Sequence, residues 1–233
     1  MSESLLEKIL REKKEKEASG LAAYLSALSN SSTVQNASSL NSIYSSLLKK
    51  AEKRKVFISY HHGNDEEVKD FLDQWAEKEK VFIPKGLGIT DEDDFIDSDN
   101  PEYVMGQIRK KYLGDSTVTI VLIGSCTHSR RYVDWEIKTS LRKGESYTPN
   151  GLIGILLQLQ MTGAHLPPRF HENWNKEHKD CYARYYFMPT TAEQLRNWIE
   201  DAYNAITTRN KLIKNDQDMM KYNSECKVCK ITH

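Results

Sequence analysis

The sequence predicts an α/β protein built on one doubly wound sheet of five parallel strands. Short apolar runs of strand length recur between stretches with helical apolar spacing, the pattern of parallel strands joined by right-handed crossovers. The run Thr117–Ile123 (TVTIVLI) lacks polar alternation, as expected of a central strand covered on both faces. With 39% hydrophobic and 28% charged residues in a chain of 233, a packed core is affordable.

The elements follow in order. Val56, Phe57, Ile58 and Tyr60 make the first strand, and Asn64 or Asp65 is placed to cap a helix whose Val68, Phe71, Leu72 and Trp75 form one buried stripe. Val81–Ile83 reads as a second strand closed by Pro84, followed by a loop over 85–100 with six carboxylates between Asp91 and Asp99. Asn100 before Pro101 is a cap followed by proline at the first helical position, and that helix is expected to end near Gly114. After the TVTIVLI strand, a helix over 131–143 buries Val133, Ile137 and Leu141. A fourth strand covers Leu152–Leu157. Residues 158–182 show no usable period. Tyr185–Met188 reads as a fifth strand, and Thr190 or Thr191 with Glu193 resembles a capping box before a last helix carrying Leu195, Trp198, Ile199, Ala202 and Ile206.

Residues 1–54 differ in character, with an amphipathic start (Leu5, Leu6, Ile9, Leu10), a Ser- and Asn-rich middle and a helical stretch over 40–53. The expected organisation is a helical extension (1–54), the α/β domain (55–208) and a C-terminal tail (209–233). Thirty-three basic and thirty-three acidic side chains leave no net charge, which argues against a nucleic-acid backbone as main partner. No stretch reaches the roughly 20 apolar residues that span a bilayer. The charged, interrupted start gives no secretory signal, and four cysteines make no disulfide framework, so a cytoplasmic home without membrane contact is expected.

In doubly wound sheets, ligands sit beyond the carboxyl ends of the strands, where strand order reverses. The rim segments are therefore 59–64, 84–100, 124–132 and the loop after Leu157. No phosphate-cradling GxxxxGK[ST] or GxGxxG motif lies there. The acidic loop fails as a calcium loop because Phe95 and Ile96 occupy a ligand and a glycine position. What remains is Ser129–Glu136 (SRRYVDWE), at the start of the helix after the third strand. Tyr132 and Glu136, four residues apart, share a face beside the buried stripe. A carboxylate beside aromatic rings suits a substrate that develops positive charge.

The FISY strand (Phe57–Tyr60), the loop after the second strand, and the segment STVTIVLIGSCTHSRRYVDWEIKTSLRKG (116–144) together resemble the TIR domain. The closest likeness is to the TIR proteins of Thoeris anti-phage systems, and the resemblance covers about 55–208. It implies a TIR/flavodoxin-like fold and an enzyme that cleaves the nicotinamide–ribose bond of NAD, with NAD as substrate and no separate cofactor. It also implies an ADP-ribose-derived signal nucleotide, a cyclic one being favoured, that activates a separate effector, and self-association. By match of motif, Glu136 is the catalytic carboxylate, able to stabilise an oxocarbenium-like ribose. Ser59, Tyr60, His61, Ser125, Tyr132 and Trp135 are expected to line the substrate pocket. Tyr132 stands where the family often has Trp, which keeps an aromatic wall. The rival is a TIR module that works by protein–protein assembly without catalysis.

Two cysteine features stand outside this reading. Cys126 with His128 lacks a third orienting group and is a weak nucleophile candidate. Cys226-x-x-Cys229 and His233 have partial zinc spacing but need a fourth ligand from elsewhere, so no metal site is expected.

Overall fold

A computed structural model describes residues 53–87, 100–145, 147–157 and 165–232. The chain divides into two units, 1–52 and 53–233, and the expected N-terminal helices fall in the first, outside the described residues. The second unit is the expected α/β fold. Strands β1 (Lys55–Ser59), β2 (Ile83–Leu87), β3 (Val118–Ile123), β4 (Gly151–Leu156) and β5 (Arg184–Tyr186) lie in the order β2-β1-β3-β4-β5. All four pairings are parallel.

Among the described residues, five α-helices connect or flank the strands: α1 (Asp65–Leu72, continued by a π-helical turn over Asp73–Lys78), α2 (Pro101–Ile108, continued by one over Arg109–Leu113), α3 (Arg131–Ser140), α4 (Pro168–Glu172) and α5 (Ala192–Thr208). Side-chain alternation sorts them onto two faces. Val56, Ile58, Val118, Ile120, Leu122, Ile153 and Ile155 pack with α1 and α5. Phe57, Val121, Ile123 and Leu152 point the other way, onto α2, α3 and α4.

The helix ends follow local chemistry. Asn100 caps α2 by accepting from the backbone N–H of Glu102 and Tyr103, with Pro101 at the first position, and Gly114 ends the following turn at φ 53°. At α5 the capping box closes through a different residue from the one expected. Thr191 Oγ1 accepts from Gln194 N at 3.1 Å, and Gln194 Oε1, not Glu193, accepts from Thr190 N at 2.8 Å. The second strand also shifts: Pro84 lies inside β2, paired with Val56, and does not close it. Proline is tolerated there because β2 is an outer strand. The fifth strand starts at Arg184, one residue earlier than expected, and ends at Tyr186.

Residues 209–232, set apart as a tail on sequence, run along α3 as a strap. Its anchor is Arg169 of α4, whose side chain is 1% exposed and pairs with Asp134 of α3, 4% exposed. All five guanidinium N–H donors are used: two go to the Asp134 carboxylate at 2.9 and 3.2 Å, and three to Asn215 Oδ1, Gln217 O and Asp218 O. Asp134 accepts in addition from Met220 N, while Trp135 Nε1 donates to Met220 O at 2.7 Å. Further along, Asn223 Oδ1 accepts from Arg131 N at 2.9 Å and so caps α3 from a position 92 residues away.

Breaking a buried ion pair from one side strands the other charge. Asp134→Ala is expected to lower unfolding stability by about 3–5 kcal/mol in urea titration, and a loss below about 1 kcal/mol would mean that the strap carbonyls alone satisfy Arg169. One source of pH dependence lies elsewhere. His178, at φ 53° and packed edge-on against Tyr186, is pushed below its ordinary value first by burial and then by Arg184. The folded chain thus favours the neutral ring, so this contribution is whole above about pH 6.5 and is lost as pH falls below it, where the unfolded chain takes up the proton first. His178→Asn, which suits that backbone, is expected to flatten the fall in urea midpoint between about pH 7.5 and pH 5.5.

Candidate functional site

Strand order reverses between β1 and β3, where β1 turns to β2 on one side and β3 to β4 on the other. Glu136 projects to that point from the second turn of α3. The residue is 0% exposed, and Ser59 Oγ, at the end of β1, donates to its Oε2 at 2.5 Å. The same ridge of α3 continues one turn later with Ser140, whose hydroxyl lies 2.7 Å from that of Thr119 on β3. The stripe one position over, Val133, Ile137 and Leu141, is fully packed. Helical geometry thus gives α3 an apolar row and, beside it, a polar row laid on the β1–β3 seam.

The residues after β1 surround this point. Tyr60 is buried, and burial, the Asp65 carboxylate and then Glu136 push its phenol well above the ordinary range, so it keeps its proton. His61 Nε2 lies 2.6 Å from Arg130 Nη2. A guanidinium only donates, so this ring nitrogen accepts. Asn64 presses on the first residue past β3: a Cβ at Gly124 would lie 2.3 Å from Asn64 Oδ1. Only glycine lets these two rim turns approach so closely. Gly124 N then donates to Thr127 Oγ1 at 2.9 Å, which shapes the turn leading into α3.

The expected site residues do not all share one place. Ser59, Tyr60 and Glu136 converge, and His61 joins Arg130, a residue not among the expected site residues. Ser125 is half-buried on the loop after β3, its carbonyl 3.6 Å from Cys226 Sγ. Tyr132 and Trp135 contact each other edge to face at 5.4 Å and pack with Phe57, Val104, Ile108 and Leu113. Arg131 lies over both rings and donates to the Tyr132 hydroxyl. These two aromatics are engaged with α2 and the strap. Cys126 is no activated thiol, since burial and the neighbouring thiols push it up to about 12.

Chemically, the described part of the site offers a carboxylate held by a hydroxyl, a protonated phenol, and a guanidinium–imidazole pair. Hollows bounded by described residues, of about 520, 610 and 450 Å³, are lined by other groups. Two rim segments expected to complete the crevice, 88–99 and 158–164, lie outside the described residues. No helix among the described residues is long and apolar enough to cross a membrane.

Residues 57–161 match the family model described as Thoeris protein ThsB, TIR-like domain. No curated protein matches the chain. The matched span runs from β1 through β4 and includes the Ser59–Glu136 contact, and the sheet order and parallel pairing are those of an α/β fold of the TIR/flavodoxin type. Over residues 57–161 the chain is therefore similar to the TIR-like domain of Thoeris proteins.

Proposed function

We propose that this chain is an NAD-consuming TIR enzyme of anti-phage defence. It cleaves the nicotinamide–ribose bond and releases an ADP-ribose-derived signal, cyclic in the favoured form, that activates a separate effector protein. The observation that carries this reading is the placement of Glu136 at the β1–β3 switch point, fixed by the Ser59 hydroxyl. Loss of nicotinamide leaves positive charge on the ribose. A carboxylate about 4 Å from that charge stabilises it by about 4 kcal/mol at an effective dielectric of about 20. Such a term corresponds to roughly a thousandfold in rate.

Within this reading Ser59 is a positioning residue, since its bond holds the carboxylate against the strand end. The Arg130–His61 pair supplies donors of the kind a pyrophosphate takes. NAD is a substrate and not a resident cofactor. Self-association and a cytoplasmic setting belong to the same proposal, which involves neither nucleic acid nor membrane.

The complete burial of Glu136 favours a second reading, an assembly module in which this carboxylate is only a structural partner of Ser59. Incubation with NAD and separation of nicotinamide by mass distinguishes the two, with extract from phage-infected cells as one arm to supply a trigger. In the enzymatic reading, Glu136→Gln lowers nicotinamide release by about a thousandfold with an unchanged melting temperature. Ser59→Ala lowers kcat by about two- to tenfold with little change in KM. Absence of nicotinamide release in both arms, with a loss of stability in Glu136→Gln, selects the assembly module.

A further inference from the structure

The strap ends in a small hairpin closed by the antiparallel bridge Glu225–Thr232. Cys226 N donates to Ile231 O and Lys230 N to Cys226 O, each at 2.9 Å. Lys230 holds φ 62°, a left-handed conformation uncommon for a residue with a Cβ. The turn thereby aims two backbone amides at one sulfur: Val228 N and Cys229 N lie 3.4 and 3.5 Å from Cys226 Sγ. Amides converging on a cysteine sulfur stabilise a thiolate and orient it as a ligand.

The fold brings a third sulfur to this turn. Cys126, on the loop after β3, lies 3.2 Å from Cys226 Sγ and 3.5 Å from Cys229 Sγ, and the three sulfurs fall within 4.8 Å of one another. Thiolates at about 2.3 Å from a tetrahedral zinc ion are spaced by roughly 3.8 Å. A disulfide would join two of these sulfurs and leave the third facing it. The hairpin is also seated independently of the thiols, since His128 Nε2 accepts from Lys227 N at 3.0 Å and Ser129 O from Ser224 N at 2.9 Å.

We propose that Cys126, Cys226 and Cys229 form a three-thiolate site for a soft divalent cation, zinc above all, which ties the end of the strap to the rim loop after β3. The cation takes three tetrahedral positions from the protein and leaves the fourth open to water, and its binding displaces the three thiol protons. The sequence shows the Cys226-x-x-Cys229 spacing but not its third sulfur, because Cys126 is separated by 100 residues from Cys226. His233, the other residue with zinc spacing, lies outside the described residues. Cys126 is adjacent to Ser125, so the cross-link fixes the rim beside the candidate site.

The test is metal analysis of the full chain expressed with zinc and purified without chelator. About one zinc per chain is expected, and cobalt in its place should give strong thiolate-to-metal charge-transfer absorption. Cys229→Ser removes the most exposed sulfur, so it is expected to keep the wild-type circular dichroism while losing the zinc. Addition of a strong chelator to the wild type is expected to lower its melting temperature and to leave that of Cys229→Ser unchanged. Wild-type protein free of zinc, zinc retained in full by Cys229→Ser and Cys226→Ser alike, or a disulfide joining Cys126 to either strap cysteine would overturn the proposal.

Discussion

The whole arrangement depends on a cation that has no access to water. Arg169 heads the fully buried side chains among the described residues, and a guanidinium in such a place is tolerable only when each N–H meets an acceptor. Two acceptors come from α3 and three from the strap, so neither can be absent while the other stays. Helix α4, which carries Arg169, is only five residues long and would have little stability alone. It sets Phe170 in the core and presents Arg169 between two longer pieces of chain. The pair's Coulomb energy matters less than the requirement it imposes on geometry.

That requirement bears on the site through α3. The helix is gripped on its outer side by Asp134 and Trp135 and on its inner side by Glu136 and Ser140. Consecutive positions thus face opposite environments, and the carboxylate at the switch point cannot tilt without disturbing the ion pair two residues before it. The polar row on the sheet has company at the other end of β3, where Asn150 donates to Ser116 and Thr119 and its carbonyl accepts from the Tyr182 hydroxyl. Hydroxyls and an amide satisfy one another along the β1–β3–β4 seam. An acidic residue at 136 therefore continues a polar line and does not interrupt an apolar core.

Local signals were readable in the sequence. The unbroken TVTIVLI run became the fully covered β3, the Asn100–Pro101 pair capped α2 as its chemistry demands, and the stripe of α3 packed at its expected positions. Short-range chemistry departs from expectation in three places: an outer strand admits Pro84 where a terminator was expected, Gln194 does the work expected of Glu193 as a box residue, and Asn64 sits at the start of α1 without a side-chain cap bond. Long-range pairing left no mark at all. Arg169 meets Asp134 across 35 residues, and Asn223 caps Arg131 across 92, from segments without periodicity. For the candidate site, motif likeness named Ser59 and Glu136, while Arg130 became visible only through its contact with His61.

Pro84 has a consequence for how copies of this domain can meet. A sheet grows by recruiting a foreign strand to an unpaired row of amides, and β2 carries one amide fewer because of its proline. At the opposite margin β5 contributes only three residues. Neither margin is a good template for such recruitment, so any meeting of copies of this domain would fall to their helices and loops and not to an extended sheet.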